Sequence, residues 1–247
     1  MSDVISSELF KLRTTRTFLV LALAALALVF AGSVLITALV DFVGAGDAPY
    51  EILMFILGPI LRAFALIIGI LAITNEFRHG TITPTLLVVP SRARLIAGKF
   101  VAVLVAGVAL GLAGTALMVL PGAIITGARD VDFGESVLAL LFGGTISTAL
   151  NAAFGLGIGT IVRNQVGAIV VALIYGFMLE DLLGLIPGVD DILPKYGLGA
   201  TSQSSALGSV GDNDALTQLP AALLLAGYGL FLLGIGLTLM RQRDVTA

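Results

Sequence analysis

The chain contains no cysteine and no tryptophan, and His79 is its single histidine. Without cysteine there is no disulfide, no thiol chemistry and no cysteine-ligated metal. One histidine excludes any site that needs a histidine pair within the chain. Charge is scarce too. Asp, Glu, Lys and Arg make up 12% of the 247 residues, whereas a soluble domain carries about 25%. So few charges cannot cover a globular surface. The phosphate-cradling pattern G-x-x-x-x-G-K-[ST] is absent, and so is H-E-x-x-H. Gly155, Gly157 and Gly159 form a G-x-G-x-G, but late in an apolar run, where close helix packing accounts for it better than a nucleotide loop.

What is present is apolar. Hydrophobic residues make up 58% of the chain, and the mean hydropathy is +1.09. Six runs, 17–40, 52–74, 99–122, 136–160, 164–185 and 219–240, are long enough to cross a bilayer, which takes roughly 20 residues per helix. Backbone polar groups in lipid must pair internally, and the runs are continuous rather than alternating, so they read as helices and not as barrel strands. The expected fold is an all-α membrane protein, one transmembrane domain over residues 1–247. Phe18 to Val40 exceeds the length of a signal-peptide core, about 7–15 residues, and reads as a retained first transmembrane helix. The fourth and fifth runs are separated only by Ile161–Arg163–Asn164, a tight hairpin.

The net charge of −3 hides a division between two sides. With the N-terminus placed in the cytoplasm, the inner side holds Lys11, Arg13, Arg16, Arg78, Arg92, Arg94, Lys99, Arg163, Arg241 and Arg243. The outer side holds Arg129 and Lys195, and Arg62 falls inside a span. Basic residues favour the cytoplasmic side, so both termini are expected inside. Residues 1–16 read as an amphipathic interface helix. Val4, Ile5, Leu9 and Leu12 share its apolar face, and Lys11, Arg13 and Arg16 reach toward anionic headgroups. The outer segment 186–218 contains Pro187, Pro194 and a Ser/Thr-rich stretch at 201–205. Its start, Leu182 to Ile192, is apolar enough to dip back into the outer leaflet.

Arg62, near the middle of the second run, is the sharpest anomaly. An arginine there costs on the order of 2.5–3.5 kcal/mol on insertion scales, so it faces protein, water or a partner. Two readings stand: it lines a pathway and meets an anionic or polar substrate group, or it pairs with Glu180 or Asp181 or snorkels outward. Pro59, one turn earlier, is expected to kink the helix and free a carbonyl for the arginine. Asn151, with Ser147 and Thr148, supplies polar points in the fourth run, a second pathway candidate or an interhelical hydrogen-bonding set.

The segment Asn75 to Lys99, NEFRHGTITPTLLVVPSRARLIAGK, is a long basic interruption between apolar runs. By charge alone it is a loop whose basic side chains snorkel to the interface, with Arg92, Arg94 and Lys99 at headgroup level. Its Glu76, Arg78, Gly80, Thr81, Pro90, Ser91, Arg92 and Lys99 resemble the first cytoplasmic loop of ABC-2 type permeases, the membrane subunits of one class of ATP-binding-cassette transporter. The N-terminal SELFKLRTTRT resembles that family's interface helix, and the six-helix layout is similar over essentially the whole chain. The resemblance implies a coupling helix around Glu76 to Leu86, with Glu76, Phe77, Arg78, His79, Gly80 and Thr81 contacting a separate ATPase. Leu9, Lys11, Arg13 and Arg16 would flank it on the interface helix. It also implies two ATPase copies carrying ATP and Mg, no cofactor or catalytic set in this chain, and a second or related permease. Nucleic acid has no place in it. The location implied is the bacterial inner membrane, and the activity is export of a hydrophobic or amphipathic molecule. The rival from another class is an ion-gradient-driven transporter using Arg62 and Glu180/Asp181.

Overall fold

The computed structural model describes residues 1–39, 49–127, 135–189, 191–208 and 216–242, and every regular element among them is helical. The order is α1 (Ser2–Thr14), α2 (Arg16–Leu39), α3 (Pro49–Arg78), α4 (Ile82–Val88), α5 (Arg92–Gly127), α6 (Glu135–Val162) and α7 (Gln165–Ile174). A π-helical turn, Tyr175–Leu179, follows, then α8 (Glu180–Leu183), α9 (Leu193–Tyr196), α10 (Leu198–Leu207) and α11 (Gln218–Gln242).

Among the described residues, five helices are long and apolar enough to cross a membrane: Arg16–Leu39, Glu51–Arg78, Arg92–Pro121, Val137–Val162 and Gln218–Met240. At about 1.5 Å per residue, each exceeds the roughly 30 Å hydrocarbon core. The expected fifth span, 164–185, differs. Its helical path changes register at the π turn and does not form one long α-helix. The runs also continue beyond the apolar segments: α3 extends through Arg78, and α5 begins at Arg92. Polar residues at these ends keep their helical hydrogen bonds, which hydropathy alone does not register.

Helix α6 runs through the middle of the molecule and packs on α3, α5, α10 and α11. Its three alternate glycines serve two neighbours. A Cβ at Gly155 would run into the Leu66 carbonyl oxygen of α3, and one at Gly157 would lie 2.9 Å from Leu232 Cβ of α11. Backbones approach closely there because side chains are missing. Helix α2 is peripheral, with Val20, Leu23, Leu35 and Leu39 facing outward, as a lipid-facing helix requires.

Helix α10 lies inside the segment 186–218 and is the part of it that packs inward. Thr201, Ser202, Ser204, Ser205 and Ala206 are buried, while Leu185, Ile186 and Ile192 are exposed. Within this segment α10 makes the inward packing, while the apolar side chains at its start face outward. The Thr201 hydroxyl donates to the Gly197 carbonyl at 2.7 Å, and Ser205 donates to that of Ser202 at 2.9 Å. Hydroxyls satisfied within their own helix are cheap to bury, and their small size admits α6.

Candidate coupling site and intramembrane cavity

The last turn of α3 sets up the first site. Gly80 has φ +65, a left-handed conformation that costs other residues about 1–2 kcal/mol. The Thr81 N–H returns to the Glu76 carbonyl at 3.0 Å and the Gly80 N–H to that of Phe77 at 3.3 Å. This pair of bonds is a Schellman cap, and it stops α3 so that α4 can start at Ile82. Pro84 falls in the first turn of α4, where its missing N–H is harmless. We expect Gly80→Ala to destabilise this corner by about 1 kcal/mol, read as faster proteolysis of the α3–α4 junction at an unchanged core melting temperature.

The sequence reading placed Glu76 in the coupling helix itself. The corner instead leaves Glu76 on α3, pointing inward, and the short helix is Ile82–Val88. Glu76 Oε1 accepts from Lys99 Nζ at 2.6 Å and from Lys11 Nζ at 2.9 Å. Glu8 accepts from the same two lysines, at 2.6 Å from Lys99 and 2.7 Å from Lys11. Lys99 also donates to the Ala72 carbonyl at 3.2 Å. It is 1% exposed, so the expected headgroup position is corrected: Lys99 is sealed between α1, α3 and α5. Two cations and two anions cancel, which lets the group sit out of water. Glu76 Oε2 is buried with no hydrogen-bond partner.

Lys11 does not reach outward to headgroups; it bridges Glu8 and Glu76. Burial lowers its pKa, but hydrogen bonds and charge from Glu8 and Glu76 outweigh that and hold it above the usual 10.5. A raised lysine pKa gives stability that is full below the unfolded-state value and fades as pH climbs through the folded one. Lys11 therefore stays cationic through the physiological range. Gly98 lets α1 press on α5, since a Cβ there would meet Val4 Cγ1 at 2.6 Å.

The remaining residues of the sequence reading spread outward from this cluster. Phe77 is half-buried beneath the Arg163 guanidinium, 5.2 Å from its ring centre. Arg78 is exposed and donates to Gln165 at 3.0 Å. His79, Gly80, Thr81, Arg13 and Arg16 are exposed, and Leu9 is half-buried. Arg163 is itself left-handed, at φ 56, and makes the tight α6–α7 turn, after which Asn164 Oδ1 caps α7 at Gly167 N (2.9 Å). Arg92 donates to the Met240 carbonyl at the end of α11. A cleft of about 500 Å3 opens among Glu8, Lys11, Asn75, Glu76, His79 and Lys99. Beside it, α4 presents Leu87 and Val88, 80% and 83% exposed.

The second site lies within the bundle. Arg62 is buried and donates from Nη2 to Gln203 Oε1 of α10. It pairs with neither the carbonyl freed by Pro59 nor Glu180. Glu180 accepts from the Gly199 and Ala200 N–H groups at 2.8 and 3.1 Å, capping the start of α10. The Asp181 side chain lies outside the described residues. Asn151 donates to the Ser147 carbonyl at 2.9 Å and exchanges hydrogen bonds with Ser202 at 3.2–3.3 Å. Arg62, Asn151, Ser202 and Gln203 share a cavity of about 380 Å3.

Sequence reasoning missed Glu8, Ser202 and Gln203. Glu8 had a signal: it follows Val4 and precedes Leu12 at four-residue spacing, so it belongs to the apolar stripe. The α10 residues had none, because a Ser/Thr-rich stretch after two prolines reads as loop.

Long apolar helices around a glycine-packed centre fit a multi-pass membrane protein. The sequence profile described as ABC-2 family transporter protein matches residues 4–179, and the chain belongs to that family. Comparison with curated proteins gives no match.

Proposed function

We propose that the chain is the permease subunit of an ATP-driven exporter whose ATP hydrolysis occurs in a separate subunit. In this reading both termini are cytoplasmic. The helical path 165–183 serves as a sixth crossing beside the five long helices, and two permeases form the pathway in a bacterial inner membrane. The cargo is hydrophobic or amphipathic. The observation that carries the proposal is the joint beneath α4. An exposed apolar tip, Leu87–Val88, stands on a corner whose base is locked to α1 and α5 through Glu76, Lys99 and Glu8. A push on α4 therefore reaches three helices rather than one flexible loop. The engagement of Glu180 with α10, away from Arg62, weighs against the ion-gradient alternative.

Arg78 and Glu76 are expected to respond differently to alanine. Arg78→Ala removes an exposed bond and leaves folding intact, so loss of ATPase stimulation there reports the contact with the partner. Glu76→Ala breaks the cluster and lowers both stability and stimulation. The test of the whole reading is co-purification from native membranes in mild detergent, with mass spectrometry and an ATPase assay. A P-loop ATPase that co-elutes and is lost when 82–88 is scrambled in a stably inserted variant supports it. A folded protein that elutes alone under every mild condition rejects it.

A further inference from the structure

The cavity beside Arg62 is built from donors. Arg62 is more than nine-tenths buried, and its one hydrogen bond among the described residues goes to Gln203. That bond fixes the amide with its oxygen toward the arginine, because an arginine has nothing to offer an amide nitrogen. Gln203 Nε2 is left buried with no hydrogen-bond partner. Asn151 and Ser202 spend their groups on each other and on the Ser147 carbonyl. No carboxylate among the described residues lies within ion-pair reach of Arg62, and both Glu180 oxygens are engaged at the start of α10. The unspent capacity is therefore a cation and an N–H donor on two residues that line one space, with no balancing anion among the described residues. The rest of the wall is apolar, including Phe55, Leu66 and Leu173. At about 380 Å3 the space falls within the range of small-ligand sites, about 300–1,000 Å3. The π turn that supplies Gly176 to the wall is a helix irregularity of the kind that gathers at functional sites.

Resting on the permease reading above, we propose that this cavity binds the acidic head, a phosphate or carboxylate, of an amphiphile whose apolar tail lies along Phe55 and Leu66. The planar guanidinium forks onto such a head with two parallel bonds, and Gln203 Nε2 supplies a third donor. A cationic or neutral head of the same size leaves the arginine without a counter-charge and is rejected. The head belongs either to a membrane phospholipid or to a single-chain cargo, and the chemistry of recognition is shared.

The test uses the full chain in a neutral detergent and native mass spectrometry, with dodecyl phosphate as the probe. Dodecanol and dodecyltrimethylammonium are the same-tail controls. The expected result is a preference of about tenfold or more for dodecyl phosphate, the size of a charge-assisted hydrogen bond. Arg62→Gln abolishes the preference and Arg62→Lys keeps part of it. Equal binding of the three probes overturns the proposal, as does a preference that survives Arg62→Gln. Where Arg62→Gln does not fold, Gly176→Phe decides. Gly176 lines the cavity and a Cβ there meets nothing within 4 Å, so a ring can be added at the wall without moving the backbone. Loss of phosphate binding in that variant supports the site, and undiminished binding overturns it. Competition by phosphatidylglycerol, but not phosphatidylcholine, assigns the head to a membrane lipid; failure of both to compete assigns it to a single-chain amphiphile. If the preference is absent while an ATPase still co-purifies, only this inference falls. A preference without any ATPase partner removes the permease reading and leaves the anion site.

Discussion

Lys99→Met should lower the stability of the solubilised protein by about 3 kcal/mol. Removing one member of a buried ion pair costs about 3–5 kcal/mol, because the other charge stays behind in low dielectric. Here two carboxylates stay behind. Lys11 touches both and is partly exposed, which places the expectation at the low end of that range. The same argument ranks the neighbours. Lys11→Met removes a half-exposed partner but leaves two buried carboxylates on one lysine, so it should cost less than Lys99→Met but more than a surface pair, about 1–2 kcal/mol. Combining Lys99→Met with Glu8→Gln and Glu76→Gln removes the stranded charges and should recover much of the loss, since neutral replacements of buried pairs are often tolerated. The measurement is the temperature at which the monodisperse peak disappears in size-exclusion chromatography after heating. A Lys99→Met protein that melts with wild type would show that the joint between α1, α3 and α5 is not held by charge.

The second large effect lies on the other side of that joint. Leu87→Asp with Val88→Asp should leave the permease as stable as wild type, within about 0.5 kcal/mol, because both side chains project from the surface. In the proposed complex the same change should weaken the ATPase subunit by about 100-fold. Losing a packed apolar residue from an interface costs about 1 kcal/mol, and an aspartate in its place adds a desolvation cost, so the pair together reaches about 2.7 kcal/mol, or hundredfold. Titrating purified ATPase onto nanodisc-held permease reads this directly. Undiminished affinity would remove α4 as the docking element even if the partner is real.

The two predictions draw on features of unequal visibility in the sequence. The long helices were legible because membrane-crossing segments announce themselves by length and continuous hydrophobicity. The α3–α4 corner was half legible: Gly80–Thr81 marked a helix end, but hydropathy placed it at residue 74 and not at Arg78. The charge cluster was not legible. Glu8 and Lys99 are 91 residues apart, and lysines at membrane ends ordinarily snorkel outward. Nothing local says that one of them turns inward to meet two carboxylates. Arg62 was recognised as anomalous from position alone, yet its partner was expected among the acids. The acid at hand, Glu180, finds the N–H groups at the start of α10, and no pairing rule read from sequence anticipates a helix it has not identified. Gly155, Gly157 and Gly159 were read as packing points; their split between α3 and α11 is a matter of which face each occupies, which only the assembled bundle defines.

The bond between Arg62 and Gln203 spans 141 residues, and that separation governs how the chain is made. Ribosomes add about 5–20 residues per second, so roughly 7–30 s pass between the synthesis of the arginine and that of its amide. Through that interval α3 carries a bare cation at mid-helix, and the insertion machinery, not the finished protein, must shelter it. A nascent chain arrested before α10 should therefore hold α3 in the bilayer less completely than the full-length chain, which glycosylation mapping of tethered intermediates would reveal. The apolar residues around Arg62 must carry α3 into the bilayer without help from α10, which, completed late, gives the arginine its amide partner only after the helix has been committed.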